Sequence, residues 1–220
     1  MRRRSDRLLA IAHRSGNSVA GLRRALDAGV DLVEADVHAY RGVLEVRHHK
    51  NLGSRHLWDK WELVRRADFV RVELAELLDE LAADHRLMID LKGVRRGLAP
   101  AVAEVLRHSS PGVPVTVCTK HWWMLDAFDP PVRRVLSASN RAALVRLRRR
   151  LAVRPAYGVS LRLNLLSPGL VRELKTRTDV VMTWPVDTPD ALSKARTLGV
   201  DAVISKNLEL LAEVVVTPSR

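Results

Sequence analysis

Short apolar runs alternate along the chain with amphipathic stretches of helical length. The runs at 8–13, 32–37, 87–91, 113–118, 134–137, 158–163, 180–184 and 202–205 predict strands. The periodic stretches at 18–28, 73–84, 99–108, 121–127, 139–150, 168–176, 188–198 and 207–214 predict helices. Eight strand–helix units in succession predict a parallel sheet, and eight strands close a TIM (β/α)8 barrel. Gly-Val-Asp occurs at 29–31 and again at 199–201, each time between a helical stretch and a strand, where a glycine ends the helix. The alternation breaks after the second strand. Arg41-Gly42 turns the chain into a hairpin arm at 43–48, and 50–71 is too long for an ordinary turn. An insertion over about 41–71 is therefore expected within one barrel domain spanning 1–220. Trp58 and Trp61 lie in it, where their rings either line a pocket or pack the loop onto the barrel rim.

Composition narrows this picture without redirecting it. The 47% apolar and 28% charged content is that of a folded globular chain. The apolar run near the start, 8–12, is too short for a signal peptide or a membrane span. A single cysteine, Cys118, forms no intrachain disulfide, which points to a reducing cytoplasm. The net charge of +12 raises the question of nucleic acid. Thirty arginines against seven lysines are spread over nearly every segment, aromatic residues are 4%, and no nucleic-acid module is present, so no nucleic-acid partner is expected. The densest patch, 146–150, closes a helical stretch, where cations complement the dipole or meet an anionic surface. A positive field still attracts a phosphate-bearing substrate and brings transient contact with an anionic membrane surface.

The polar exceptions within the apolar runs carry the chemistry. Glu34 and Asp36 are two apart on a strand and share a face, while Val33, Ala35 and Val37 take the other. Two inward carboxylates repel each other and are costly to bury, so they call either for arginine partners or for a hard divalent cation, Mg²⁺ or Ca²⁺. Asp90 and Lys92 repeat the spacing on the next predicted strand, where Asp90 can complete a three-carboxylate set and Lys92 can meet phosphate oxygens. His13 ends the first strand and His48 ends the hairpin arm. Two histidines beside a cation suit a reaction that removes one proton and delivers another near neutral pH. Arg14 offers the forked donors that phosphate accepts. His38, His56, His85, His108 and His121 have no such context and read as surface or packing residues.

These residues stand in recognisable strings. Ala12-His13-Arg14, Asn17-Ser18, the run 25–37 containing Glu34-Ala35-Asp36-Val37, and Val46-Arg47-His48 together resemble the glycerophosphodiester phosphodiesterase family. Asp90-Leu91-Lys92 is similar to that family's Glu-x-Lys. Trp184-Pro185-Val186-Asp187 and the run 199–205 are similar to its closing motifs. The resemblance implies a TIM barrel that hydrolyses glycerophosphodiesters to glycerol 3-phosphate and an alcohol with the help of one divalent cation, Mg²⁺ or Ca²⁺. It implies that His13 and His48 form the acid–base pair and that Glu34, Asp36 and Asp90 hold the metal. Arg14, Lys92 and Trp184 would bind the phosphate and substrate. Related chemistries on the same frame are a phospholipase D-type or cyclising reaction on lysophospholipids, or binding of phosphodiesters without turnover. The chain departs from the family pattern at Ser15 and Gly16, which replace a glycine and an acid. It departs again at Asp90, which replaces a glutamate, at His49, which replaces an aspartate, and at Ser205-Lys206, which replaces Thr-Asp.

Overall fold

Inward and outward positions alternate along each barrel strand, and this alternation decides what the barrel holds. The computed structural model describes residues 7–59, 61–82 and 84–216. The first unit is β1 (Leu9–Ala12) followed by α1 (Val19–Asp27), and β2 (Leu32–Tyr40) lies beside β1 in parallel. An insertion follows: β3 (Val43–Val46), β4 (Lys50–Leu52), β5 (His56–Asp59), β6 (Glu62–Arg65) and β7 (Val72–Glu73). The regular beat resumes with α2 (Leu74–Leu81), β8 (Leu87–Leu91), α3 (Leu98–Ser109) and β9 (Thr116–Thr119). It continues through β10 (Arg133–Ala138), α4 (Arg141–Val153), β11 (Ala156–Arg162) and α5 (Pro168–Lys175). The last units are β12 (Thr178–Trp184), α6 (Pro189–Leu198), β13 (Ala202–Ser205) and α7 (Leu208–Val216). Strands β1, β2 and β8–β13 pair in parallel, and the β1–β13 and β1–β2 ladders close them into the expected eight-stranded barrel.

Two layers of apolar side chains result. Ile11, Leu32, Met88, Val135, Val180 and Met182 fill the barrel interior, whereas Val33, Ala35, Val37, Ile89 and Val203 face the helices. The two Gly-Val-Asp copies do the same work. Gly29 and Gly199 take left-handed φ values of 73° and 70° just past α1 and α6. Asp31 and Asp201 then accept the backbone N–H of Ala10 and Val181 at 2.8 Å each, tying each turn to the neighbouring strand. Ser18, Asn140, Ser167 and Thr188 cap the helices that follow them.

The structure differs from the sequence expectation in two places. After β9 the chain makes a 3-10 turn over Trp122–Ala127 in place of an α-helix. Six residues hold fewer than two α-turns, and burial of Met124, Leu125 and Phe128 sets the tighter winding. The stretch 50–71 is not irregular: β4, β5 and β6 form a separate three-stranded antiparallel sheet. Only Leu57 of that sheet is fully buried, so it presents almost no apolar period to read. Strand β3 continues the insertion as a hairpin partner of β2, pairing Val37 with Val46.

Candidate active site

The polar exceptions converge at the C-terminal mouth of the barrel. Glu34 and Asp36 project inward from β2, and Asp90 projects inward from β8 opposite Asp36 in the strand register. Glu34 and Asp36 are buried, and an oxygen of each of the three carboxylates lies within 4.8 Å of the others. Lys92 sits just past the end of β8, its Nζ 2.7 Å from Asp36 Oδ1 and paired also with Asp90. A cleft of about 150 Å³ opens over this group, bounded by His13, Arg14, His48, Cys118, Lys120 and Trp184.

The turn after β1 is shaped to serve the cluster. Arg14 adopts a left-handed conformation, φ 60° and ψ 7°, which a side chain enters only at a cost in backbone energy. The turn directs its N–H to Glu34 Oε2 at 2.6 Å and brings its guanidinium to 3.7 Å from Asp36. His13 Nε2 lies 4.0 Å from Glu34 Oε2, and its buried Nδ1 has no hydrogen-bond partner among the described residues. Asn17 makes a reciprocal pair with Asp36, donating to Oδ2 at 2.9 Å and accepting the Asp36 N–H at 2.7 Å. Gly16 lets this turn lie flat on β2. A Cβ there would stand 2.8 Å from Ala35 Cβ and 3.0 Å from the Glu34 carbonyl oxygen, so the acid of the family pattern has no room on this backbone.

The insertion supplies the second histidine and its support. The Arg47 N–H bonds to the Asp36 carbonyl at 2.9 Å, carrying the end of β3 over the barrel mouth. Arg47 is buried and is held by Glu45 at 2.8 Å and Asn51 at 3.0 Å. His48 Nδ1 then meets Asp59 Oδ2 at 2.7 Å, and its Nε2 meets the Arg14 guanidinium. Arginine only donates, so Nε2 carries the lone pair and Nδ1–H donates to Asp59. His49 turns away, stacking edge-on with Phe69 and contacting Glu62 at 3.1 Å, so its departure from the family pattern pins the insertion. Ser205 and the Lys206 N–H both bond to Asp187 at 3.1 and 2.8 Å, joining the loop after β12 to the end of β13.

Protonation follows from this crowding. Burial pushes the Glu34 carboxyl well above its ordinary range, and Asp36 reinforces it. Asp90 is raised by burial, although Lys92 opposes the shift. Burial would raise Asp36 too, but Lys92 and Asn17 outweigh it and hold its pKa at about 2. Lys92 stays firmly protonated, because Asp90 and Asp36 overcome its burial. Burial and Arg14 lower His13 to about 4, and burial lowers His48 against the pull of Asp36 and Asp59. Lys92 and Asn17 thus hold Asp36 ionised, while Glu34 and Asp90 are left raised. A divalent cation fits this donor set: all oxygen, converging, and at a mutual spacing that ligand bonds of 2.0–2.6 Å span.

All eight sequence-predicted site residues line or border one mouth: His13, Arg14, Glu34, Asp36, His48, Asp90, Lys92 and Trp184. Trp58 is 42% exposed and lines the groove beside His48, whereas Trp61 is fully exposed. His38, one of the histidines read as surface or packing residues, is buried, and burial and Arg47 lower its pKa to about 3. Sequence reasoning passed over Asp59, Asn17 as an anchor, and Lys120. Lys120 carried a legible signal, since Cys118-x-Lys120 has the same two-residue spacing as Asp90-x-Lys92.

No family model and no curated protein matches the sequence. Solved structures do. One of Silicibacter pomeroyi, described as a glycerophosphoryl diester phosphodiesterase, superposes with a TM-score of 0.80 at 19% identity, covering 96% of this chain and 93% of its own. A glycerophosphodiester phosphodiesterase of Thermotoga maritima gives 0.75 at 18% identity, covering 94% of this chain and 98% of its own. A phosphodiesterase of Oleispira antarctica, solved with the product sn-glycerol-3-phosphate, gives 0.74 at 18% identity over 95% and 97% of the two chains. The chain carries the (β/α)8 barrel fold of the glycerophosphodiester phosphodiesterases.

Proposed function

We propose that this protein is a metal-dependent phosphodiesterase that hydrolyses glycerophosphodiesters to glycerol 3-phosphate and an alcohol. The observation that carries the reading is the meeting of three carboxylates, two histidines, Arg14 and Lys92 at one barrel mouth. That set matches a phosphodiester, which needs cations around its oxygens and a proton acceptor and donor on opposite sides of phosphorus. Glu34, Asp36 and Asp90 would hold Mg²⁺ or Ca²⁺, which stabilises the charge that builds on the phosphoryl oxygens. Arg14 and Lys92 bind those oxygens and orient the diester.

The histidines divide the proton work. The His48 Nε2 lone pair, engaged by Arg14 in the free protein and backed through Nδ1 by Asp59, accepts the proton of the attacking hydroxyl once Arg14 turns to the phosphate. As the new P–O bond forms, the P–O bond to the alcohol breaks, and the alkoxide leaves with a proton delivered by His13. The nucleophile is water, or the substrate's own 2-hydroxyl followed by hydrolysis of the ring; either way one water is consumed. Bound phosphate adds its negative charge to that of Asp36 and so favours the His13 imidazolium against burial and Arg14.

The test is alcohol release from glycerophosphocholine in Mg²⁺, in Ca²⁺ and in EDTA, alongside His13→Ala and Glu34→Gln. Activity that depends on a divalent ion and falls at least about 100-fold in both variants is expected. Indifference to EDTA and to both substitutions refutes the reading.

A further inference from the structure

The cleft over the carboxylates opens sideways into a larger groove of about 750 Å³, and the two share Arg14, His48, Lys92 and Lys120. Its wall carries five cations, Arg14, Lys50, Lys92, Arg95 and Lys120, against one carboxylate, Asp59. Asp59 is already engaged by His48. Arg14 and Lys92 are committed to the acidic cluster, but Lys50, Arg95 and Lys120 have no carboxylate ion pair among the described residues. Arg162 adds to the same end of the barrel: it and Lys120 both approach the Trp184 ring, at 5.8 and 5.4 Å. Lys120 is lowered by partial burial, then by Lys92, with Arg162 and Lys50 adding to the shift, so these like charges feel one another.

Like charges gathered in a concavity without acids to neutralise them make a field directed at an anion. The scissile phosphodiester carries one negative charge and is met deeper in, by Arg14 and Lys92. The groove beyond it therefore faces whatever the diester oxygen bears on its far side. Resting on the phosphodiesterase reading above, we propose that the leaving alcohol occupies this groove and carries a phosphate of its own. Lys120, Lys50 and Arg95 are the specificity-determining residues. A leaving group with a quaternary ammonium, such as choline, meets repulsion there. Trp58 offers no remedy, since Lys50 already lies over its ring at 5.7 Å.

The matched probes are glycerophosphoinositol and glycerophosphoinositol 4-phosphate, which share a leaving alcohol and differ by one phosphate. The wild-type protein should favour the phosphorylated diester in kcat/KM by about tenfold or more, and glycerophosphocholine should be the poorest of the three. The ratio for the matched pair should fall at least about threefold in Lys120→Met and approach one in the Lys120→Met/Arg95→Met double variant. Calorimetry on the metal-free protein in EDTA supplies a readout independent of turnover: the phosphorylated diester should bind more tightly, and the double variant should lose the difference. Equal turnover and equal binding of the matched pair overturns the assignment while leaving the hydrolase reading intact. A ratio unmoved in the double variant does the same. No turnover of any diester in any metal refutes the hydrolase reading and the groove assignment that rests on it.

Discussion

Replacing Asp59 with asparagine tests how the insertion participates in chemistry. Asp59 lies on β5 of the outer sheet and reaches His48 Nδ1 at 2.7 Å. It lines neither the carboxylate cluster nor the cleft over it, and its hydrogen bond there is to His48. Its charge does two things there. It fixes the tautomer whose Nε2 lone pair faces the mouth, and it raises the His48 pKa against burial and Arg14. A charge-assisted hydrogen bond contributes about 1.5–3 kcal/mol, and both side chains are about a quarter exposed, so the lower end applies. About 1.5 kcal/mol corresponds to about a tenfold loss of rate. The assay is the pH dependence of kcat and kcat/KM for glycerophosphodiester hydrolysis. In Asp59→Asn, kcat should fall about tenfold with KM little changed. The sign of the pH effect is fixed as well. Removing a group that raises the His48 pKa lowers it, so the limb on which activity rises with pH should move to lower pH. A loss of kcat with no movement of that limb would mean that Asp59 only braces the fold. An unchanged kcat would remove His48 from the role of proton acceptor.

Three further outcomes follow from the same geometry. Glu34→Gln should abolish the thermal stabilisation by Mg²⁺ or Ca²⁺, which in wild type should reach about 2.7 kcal/mol at a hundred times Kd by mass action; a metal-induced rise in Tm that survives in the variant refutes the site. Because burial raises Glu34 and Asp90, metal binding should release protons, more of them as pH falls, with weaker affinity at acid pH; calorimetry in buffers of different ionisation heat reads this directly. His38 has a folded pKa near 3 against about 6.5 unfolded, so its neutral form contributes stability that is complete above about pH 6.5 and is lost as pH falls towards 3. Between pH 7 and pH 5 this is at most about 2 kcal/mol, and denaturant titrations of His38→Gln should show a shallower acid decline than wild type.

The site was legible where chemistry rides on a period and hidden where it rides on pairing. Glu34-x-Asp36 and Asp90-x-Lys92 announce themselves because a strand repeats every two residues, and a charge at an inward position of an apolar run is an exception that demands a partner. Lys120 follows the same rule, but its partner in the pattern is an uncharged cysteine, so its signal is fainter. Asp59 obeys no such rule. Its meeting with His48 depends on the antiparallel register of β5 with β4 and β6, and that sheet leaves most of both faces to solvent. A register without an apolar face is weakly written in sequence. The departures from the family strings sort in the same way. Gly16 and His49 are explained by contacts that only the folded chain displays: one by lying against Ala35, the other by Phe69 and Glu62. Neither enters the reacting set. Lys206 is different, because its charge adds to those that keep His13 neutral. Together with the groove cations it makes the mouth of this barrel more positive than the acids within it can balance. Of the changed positions it is thus Lys206 that acts on which anion is drawn to the site, where His13, His48, the three carboxylates, Arg14 and Lys92 stand together.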